Sequence, residues 1–376
     1  MVDKKNILIL ENSIDVTGAL KSIVRTCLYD KTNYHFIFVL PKKSSAGLWL
    51  KEQGFTHIEY FNTIELSRSW KRNFMYLPYL LINAFKLKKI IRQNKVDLII
   101  NNDLYNLLPI ALRLIGLTNR YICYVRFLPN RFPIVLYNFW IKLHLLQAFA
   151  IVAVSKHLAG FLPQSSKVHV IYNELPLESN VHNLNLNVER EPAFLYLSNY
   201  IRGKGHEYAL QAFSKITHQI PNWKLRFVGG DMGLNKNKMF LEELKALSIS
   251  LNIAEKCEWF GFTNNIQAEY KRVEVMLNFS ESESFSLTCL ESLYFGTPVI
   301  ASNSGGPAEI ISHGINGLLV ENKNTVSMAN AMLQIAGDAA FRKRVNEEGF
   351  KTVQESFSAD KTSGKLFKLL VEALTK

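Results

Sequence analysis

The most informative part of the chain is residues 280–321, which read SESESFSLTCLESLYFGTPVIASNSGGPAEIISHGINGLLVE. A polar loop opens this segment, and a helix-like stretch follows it up to Gly296 and Pro298. Glycine is favoured just past the end of a helix, and proline cannot continue one. An apolar strand at 299–301 and a loop with two glycines come next. This order predicts one crossover of a parallel α/β sheet.

The same segment contains two carboxylates that suggest chemistry. Glu283 lies in the polar loop, and Glu291 follows eight residues later on the predicted helix. Ligands of open α/β sheets bind at the carboxyl ends of the strands, where a helix N-terminus offers N–H groups and partial positive charge. Each carboxylate can accept hydrogen bonds from a pair of hydroxyls. These features predict a site for a molecule with hydroxyls and a phosphate, such as a nucleotide sugar.

The segment resembles the signature of the retaining family-4 glycosyltransferases, which have the GT-B fold. That signature has two glutamates separated by seven residues, followed by G-x-P-V-I-A, G-G-x-x-E and N-G-L-L-V. The matching stretches are ESFSLTCLE, GTPVIAS, GGPAE and NGLLVE. The resemblance implies an α/β chain with two Rossmann-like, doubly wound domains that face each other across a cleft. One departure is Ser286, which stands where the family usually has glycine.

The resemblance implies roles for the residues of this segment. Glu283, a candidate catalytic residue, would hold hydroxyls of the donor sugar, and Glu291 would hold those of the ribose. The amides of Ser284, Phe285 and Ser286 would help to bind the sugar. Family members retain the anomeric configuration, and the departing phosphate helps to deprotonate the acceptor.

A second stretch, LSNYIRGKGHEYALQAF at 197–213, resembles the family's G-R-x-x-x-x-K-G-x-x-x-L-x-x-A-F. The resemblance implies that Lys204 is catalytic, because it would neutralise the diphosphate of the leaving nucleotide. The arginine that accompanies this lysine in the family falls on Asn199 here. Arg202 is the candidate to replace that arginine if the loop bends to deliver it, and an ordinary surface arginine is the alternative. Asn199 and Arg202 are both predicted at the donor site.

Three further positions complete the predicted donor site. The stretch LRFVGGDMG at 225–233 resembles L-x-x-V-G-x-G, and Gly229 would let the backbone approach the ligand. The stretch WFGF at 259–262 resembles the family's segment that cradles the base and includes Phe262, whereas its first two aromatic residues are predicted in the core. In the first domain only Gly18 remains of the family's glycine pair, at a helix N-terminus that could bind the second phosphate.

The acceptor side departs further from the family. Many members have a histidine where the stretch YICYVRFLPN has Arg126. Arg126 is therefore the acceptor-side candidate, which could pair with a phosphate of the donor or the acceptor. The sequence has no D-x-D and no His, Asp or Glu cluster with metal-ligand spacing. No metal and no cofactor besides the donor substrate are predicted, since Lys204 and helix termini can stabilise the diphosphate.

The charge distribution points to a partner for the first half of the chain. The 376 residues have a net charge of +12, and residues 1–180 hold 23 Lys+Arg against 11 Asp+Glu. Basic and aromatic residues alternate in RSWKRNFMYLPYLLINAFKLKKIIRQNK at 68–95. This pattern favours an anionic membrane surface, and a solvated basic face is the alternative. No nucleic-acid-binding motif accompanies the charge, so no nucleic acid partner is predicted.

The location of the protein is predicted from its apolar segments and cysteines. The first residues, MVDKKNILILENS, have too short an apolar core for a signal peptide. Polar residues interrupt the apolar stretch 132–154, which predicts a helix and a strand rather than a membrane span. Four scattered cysteines are typical of free thiols in a reducing compartment. We expect a cytoplasmic protein, peripheral on the cytoplasmic face of the membrane.

The apolar pattern predicts two domains. Residues 1–175 form the N-terminal Rossmann-like acceptor domain, and 193–357 form the nucleotide-sugar-binding domain. Between them, 176–192 lose periodicity and fill with Asn, Glu and Pro, as in a linker. By analogy with GT-B enzymes, a C-terminal helix at about 358–376 crosses back to the first domain.

The predicted activity is transfer of a sugar from a nucleotide sugar to a saccharide or lipid-linked saccharide, with retention of configuration. Its setting would be the synthesis of a bacterial cell-surface polysaccharide or glycolipid, such as capsule or lipopolysaccharide. The alternative is a degenerate GT-B scaffold that binds a sugar nucleotide or a partner without turnover. The residues at Asn199, Ser286 and Arg126 support the alternative, whereas the two glutamates and the lysine argue against it.

Overall fold

The structure is a computed structural model that describes residues 4–62, 70–131, 133–175 and 189–375. The chain divides into two compact units. The first comprises Met1–Leu177 and Ala359–Lys376, and the second comprises Glu178–Ser358. Each unit is built on one parallel sheet with helices, so the predicted pair of Rossmann-like α/β domains is confirmed.

The first unit has a parallel sheet of seven described strands. They are β1 (Lys5–Leu10), β2 (Tyr34–Pro41), β3 (Ile58–Phe61), β4 (Leu98–Asn101), β5 (Tyr121–Val125), β6 (Ala150–Ala153) and β7 (Val168–Val170). Their order in the sheet is β3-β2-β1-β4-β5-β6-β7, so the direction of winding changes between β1 and β4. The central strands are continuous apolar runs, because parallel strands with helices on both faces are buried on both sides.

Six described helices accompany this sheet. They are α1 (Gly18–Tyr29), α2 (Ala46–Glu52), α3 (Trp70–Gln93), α4 (Leu108–Leu114), α5 (Ile134–Gln147) and α6 (Lys156–Ala159). Thr17 caps α1 by accepting a hydrogen bond from the Leu20 amide, and Ser155 caps α6 in the same way through the Leu158 amide. No described helix combines the length and hydropathy needed to cross a membrane.

The second unit has a parallel sheet of six described strands. They are β8 (Glu191–Leu197), β9 (Lys224–Val228), β10 (Cys257–Phe260), β11 (Val273–Asn278), β12 (Val299–Ser302) and β13 (Leu318–Val320). Their order is β10-β9-β8-β11-β12-β13, with the change of direction between β8 and β11. The helices are α7 (His206–Ser214), α8 (Asn235–Ser250), α9 (Ile266–Arg272), α10 (Leu287–Tyr294), α11 (Thr325–Gly337) and α12 (Ala339–Ser356). Loops that follow β8 and β11 therefore meet at one edge.

The last helix, α13 (Ser363–Thr375), packs within the first unit. The rings of Phe367 and Tyr34 lie 5.1 Å apart. The Glu174 carboxylate accepts hydrogen bonds from Thr362 Oγ1 at 2.6 Å and from the Ser363 amide at 3.1 Å. Glu174 thus caps this helix from a distant part of the chain.

Several sequence predictions differ from the structure in their bounds. The predicted linker 176–192 lies partly outside the described residues, and β8 already begins at Glu191. The side chains of the first part of the basic segment also lie outside the described residues. The strands β3, β7 and β13 have only three or four residues each and are not predicted from the sequence. All four cysteines are buried and none forms a disulfide.

Candidate active site

The candidate site forms where the loop after β8 meets the loop after β11. The Glu281 amide donates to the Gly203 carbonyl at 2.9 Å. Gly205 has φ +84°, and a Cβ there would lie 2.0 Å from the Phe279 carbonyl oxygen. Only glycine fits this position, because both the conformation and the close contact exclude a side chain. The two loops are therefore in direct backbone contact.

This contact brings together the two residues that the sequence predicts to be catalytic. Lys204 Nζ lies 2.7 Å from Glu283 Oε1, and the side chains are 35% and 16% exposed. Both are thus half-buried but still reached by solvent. A phosphate group could bind the ammonium group, while sugar hydroxyls could donate to the carboxylate.

The backbone of Glu283 is held from the other side by the glycine loop after β12. Its amide donates to the Ser304 carbonyl at 3.1 Å, and its carbonyl accepts from the Gly306 amide at 2.8 Å. A Cβ on Gly306 would lie 2.3 Å from Phe285 Cα. The G-G of the sequence signature is therefore explained by the close packing of this loop against the loop of Glu283.

Ser286 adopts the backbone conformation for which the family uses glycine. Its φ is +81°, and its hydroxyl caps α10 by accepting from the Cys289 amide at 3.4 Å. The Asn278 Nδ2 also donates to Ser286 Oγ, at 2.8 Å. These bonds compensate for the strain of a positive φ in a residue with a Cβ. The loop therefore keeps the glycine-like conformation without glycine.

The remaining residues of the segment lie around this loop. Glu291 is buried within α10, and Ser284 is half-buried beside Glu283 in sequence. The Phe285 ring is buried and packs at 6.0 Å from the ring of Phe357. The Phe285 side chain thus has a packing role, and the predicted contacts of these residues with a ligand stay predictions.

Asn199, at the position of the family arginine, and Arg202, its candidate substitute, both bind groups other than the Lys204–Glu283 pair. Asn199 Oδ1 accepts from the Gly230 amide at 3.0 Å and so supports the glycine loop after β9. The Arg202 guanidinium pairs with Glu243 of α8 and lies 4.7 Å from the centre of the Phe240 ring. The loop thus directs Arg202 toward α8, because the positive φ of its neighbour Gly203 turns the chain before Lys204.

The predicted base-binding region contains one correction. Phe262 is exposed, as a residue available to a ligand must be, whereas Phe260 is 40% exposed and not in the core. β10 is an edge strand, so its last residue is covered only by the guanidinium of Arg226, at 3.7 Å from the ring centre. Trp259 stacks on Phe227 at 4.4 Å, as expected for a core residue. Gly229 is required by packing, since a Cβ there would lie 1.9 Å from the Ser198 carbonyl oxygen.

Two buried residues near the site were not singled out from the sequence. His206, the first residue of α7, is buried among aromatic rings, and burial lowers its pKa to about 3, so it is neutral near pH 7. Tyr196 of β8 is buried beneath the loops, and its hydroxyl donates to the Lys204 carbonyl. A tyrosine in an apolar strand has the same pattern as a core phenylalanine, so no sequence signal distinguishes it.

Two of the predicted site residues, Arg126 and Gly18, lie in the first unit. Arg126 is only 6% exposed. Its Nε and Nη1 donate to the side-chain oxygens of Asn102 and Asn173, at 3.0 and 2.9 Å. Burial lowers the pKa of Arg126, and the acidic groups nearby oppose that shift. Gly18 is exposed at the first position of α1.

The predicted acceptor-side role of Arg126 is therefore not supported by its position. The guanidinium is buried and hydrogen-bonded to the protein, so it stabilises the first unit. The predicted phosphate contact of Gly18 stays a prediction. Among the described residues, no three His, Cys, Asp or Glu side chains are grouped as metal ligands would be.

Comparisons with known proteins show what the chain is similar to. Residues 179–352 match the family model of the glycosyl transferases group 1. The chain is 32% identical over 247 residues to an uncharacterized glycosyltransferase of Methanocaldococcus jannaschii, covering 60% of this chain and 61% of that protein. It is 25% identical to the lipopolysaccharide 1,6-galactosyltransferase of Escherichia coli, over 56% of this chain and 57% of that one. The chain thus spans less than two thirds of the length of these relatives.

A solved structure shows the same fold over nearly the whole chain. The crystal structure of Anabaena HepE in complex with UDP and glucose aligns with a TM-score of 0.80. The alignment covers 97% of this chain and 99% of that one, at 18% identity. The predicted resemblance to glycosyltransferases is confirmed, and assignment to the retaining family 4 is consistent with it. Residues 179–352 are thus similar to the group 1 glycosyl transferases, and the chain has the GT-B fold.

Proposed function

We propose that the chain transfers a sugar from a nucleoside diphosphate sugar to a saccharide or lipid-linked saccharide, with retention of the anomeric configuration. The observation that carries this proposal is the half-exposed Lys204–Glu283 pair at the carboxyl edge of the second sheet. A cation for phosphate and a carboxylate for hydroxyls lie there within one hydrogen-bond length of each other. The UDP and glucose bound to the HepE relative and the galactosyltransferase name of the E. coli relative support the same assignment.

In this proposal, each charged residue acts on one part of the donor. Lys204 binds the diphosphate and stabilises the negative charge that develops as the nucleotide leaves, which is electrostatic stabilisation of a transition state. The Glu283 carboxylate accepts hydrogen bonds from hydroxyls of the sugar and so fixes the anomeric carbon near the diphosphate. The Glu291 carboxylate accepts hydrogen bonds from hydroxyls of the ribose.

The proposed chemical step needs no protein nucleophile. The bond between the anomeric carbon and the diphosphate oxygen breaks, and the acceptor oxygen forms a new bond on the same face of the sugar. The departing diphosphate takes the proton of the acceptor hydroxyl. Lys204 and the N-terminus of α10 stabilise the diphosphate charge, so we propose that the reaction proceeds without a metal.

We further propose that the first unit meets an anionic membrane surface, where a lipid-linked acceptor would lie. One exposed stripe of α3 combines apolar and basic side chains at helical spacing: Ile82, Phe85, Lys86, Lys89 and Arg92. α5 exposes further apolar side chains: Ile134, Val135, Phe139 and Leu146. Apolar side chains that insert and lysines that meet lipid phosphates suit such a surface.

One observation favours a second candidate, a scaffold that binds a sugar nucleotide without turnover. Asn199 and Arg202 are both engaged away from Lys204, so a second cation beside the diphosphate is not formed by the described loop. Binding with a single cation is compatible with either function. Turnover decides between them.

The test is a transfer assay with uridine, guanosine and adenosine diphosphate sugars, in EDTA, with lipid-extract acceptors in anionic vesicles. We expect release of one nucleoside diphosphate, and a product whose anomeric configuration, read by NMR, matches the donor. Lys204→Ala should lower this turnover about 100-fold, whereas Lys245→Ala, which removes an exposed lysine that pairs with Glu242 on α8, should not. Selective donor binding without transfer would instead establish the scaffold, and an inverted product would refute retention.

A further inference from the structure

One buried hydroxyl joins the two loops of the candidate site from below. Tyr196 lies on β8 with its ring 2% exposed, packed between the rings of His206 and Phe227. Its hydroxyl donates to the Lys204 carbonyl and accepts from the Phe279 amide at 2.9 Å. A single oxygen atom therefore satisfies an acceptor of one loop and a donor of the other.

The two groups that this oxygen joins lie in the loops of Lys204 and Glu283. Lys204 itself supplies the carbonyl, and Phe279 lies four residues before Glu283. A Cβ on Gly205 would lie 2.8 Å from the Tyr196 hydroxyl oxygen, so the K-G glycine is packed directly on the bridge. The position of the bridge thus sets the spacing between the two loops.

We propose that Tyr196 is a positioning residue for sugar transfer, which sets the position of Lys204 relative to Glu283 through its buried hydroxyl. This inference rests on the proposed function of the Lys204–Glu283 pair. Tyr196 itself touches no substrate, because its ring and hydroxyl lie under the loops. Burial raises the pKa of Tyr196, so its hydroxyl remains protonated and able to donate.

A neighbouring tyrosine shows what distinguishes this hydroxyl. Tyr200 is equally buried, and its hydroxyl donates to the Phe260 carbonyl at 2.9 Å. That carbonyl also accepts from the Gly229 amide at 3.3 Å, and the Lys204 carbonyl likewise accepts from Ser280 Oγ at 3.4 Å, so each carbonyl keeps a second donor without its tyrosine. The Tyr196 hydroxyl instead links two loops, and Tyr196→Phe removes this link while it keeps the ring packing.

The experiment compares Tyr196→Phe with Tyr121→Phe, which removes a buried hydroxyl bonded to His144 in the first unit. We expect Tyr196→Phe to lower kcat about 10-fold with the donor KM changed less than about twofold, because misplaced catalytic groups cost rate rather than ground-state binding. Tyr121→Phe should leave kcat unchanged. An unchanged kcat in Tyr196→Phe overturns the proposal, as does an equal loss in the control.

A double-mutant cycle tests whether Tyr196 acts through Lys204. In the Lys204→Ala background, Tyr196→Phe should have no further effect on kcat, because the group that it positions is absent. The same fold loss in both backgrounds would show a general structural role and overturn the proposal.

A readout without activity separates this inference from the proposed function. Hydrogen exchange of the amides in 200–205 and 279–283 should be faster in Tyr196→Phe and unchanged in Tyr121→Phe. If the wild-type chain transfers no sugar, the proposed function fails, and exchange alone tests the bridge. Faster exchange in both loops would then support it, and unchanged exchange would refute it.

Discussion

The carboxyl edges of the two sheets use their charged residues in opposite ways. In the second unit, Lys204 and Glu283 pair at an edge that solvent reaches, with 35% and 16% of their side chains exposed. In the first unit, Arg126 is 6% exposed and donates to Asn102 and Asn173 within the protein. Parallel α/β architecture thus positions charged side chains at both carboxyl edges, and of these three residues Lys204 and Glu283 are the ones that solvent reaches.

The difference shows that an edge position alone does not make a binding site. Both sheets are parallel and doubly wound, so each brings the loops that follow its strands to one carboxyl edge. The two edges differ in the burial of their charged side chains and of the groups to which these side chains bond. A buried cation with internal acceptors stabilises the fold, whereas a half-exposed one can exchange its partner for a ligand.

The largest expected effect tests the buried side of this comparison. Arg126→Met should lower the free energy of unfolding of the first unit by about 1–3 kcal/mol, because it leaves the buried Asn102 side-chain oxygen without its donor. Hydrogen exchange of β5 peptides measures this loss. The matched control is Arg202→Met, whose exposed pair with Glu243 contributes under about 1 kcal/mol. Equal losses in the two variants would contradict the distinction between the edges.

Lys204→Ala tests the carboxyl edge of the second sheet, whose charged pair is reached by solvent. We expect kcat for sugar transfer to fall about 100-fold or more, because removal of one group that stabilises the developing anion has effects of this size. The donor KM should rise less than kcat falls. Steady-state kinetics with Lys224→Ala as control, a lysine that pairs with Glu258, measures both changes. A change in KM alone would remove Lys204 from the transition state.

Within the described part of the chain, each unit contains one buried histidine, and their acid responses should differ. Burial lowers the pKa of His206 to about 3 and that of His144 to about 4, from an ordinary value of 6.5. The unfolded chain therefore takes up protons that the folded units do not. Each unit should lose stability below about pH 6.5, by up to about 1.4 kcal/mol per pH unit, down to its folded pKa.

Denaturation of the wild type and of His206→Phe between pH 7 and 5 checks this expectation. Phenylalanine fits the aromatic surroundings of His206 and does not titrate, so the slope for the second unit should decrease while that for the first unit persists. A slope that is unchanged in both units would show that His206 does not determine the acid response.

The smallest effect concerns the strained cap of α10. Ser286→Gly should raise stability by about 0.5–1 kcal/mol, because relief of a positive φ outweighs the few tenths of a kcal/mol that the cap loses. Asn278 keeps Thr288 Oγ1 as an acceptor at 3.1 Å. Urea denaturation measures the change, and a loss of stability would mean that the hydroxyl matters more than the strain.

The sequence predicts the central elements well for a physical reason. The predicted strand at 299–301 lies within β12, and the apolar stretch 132–154 contains a helix, α5, and a strand, β6, as predicted. Buried parallel strands are continuous apolar runs, and the start of α1 is marked by its Thr17 cap. β3, β7 and β13 were missed because they are short edge strands without the continuous buried run of the central strands.

The candidate site was predicted in part. Lys204 and Glu283 follow adjacent parallel strands, so their meeting follows from topology and the signature. The direction of Arg202 depends on backbone angles that residue types do not specify. The burial of Arg126 was missed because arginine is usually exposed, and its partners Asn102 and Asn173 come from distant parts of the chain.

The most direct test of the central claim is donor-dependent thermal stabilisation of the wild type and of Glu291→Ala, in EDTA. A ligand that binds the folded chain raises its stability in proportion to its own binding free energy. We predict that one nucleoside diphosphate sugar stabilises the wild type selectively and that Glu291→Ala loses this shift. The same shift in both proteins, or none with any donor, would contradict a nucleotide-sugar site at the carboxyl edge of the second sheet.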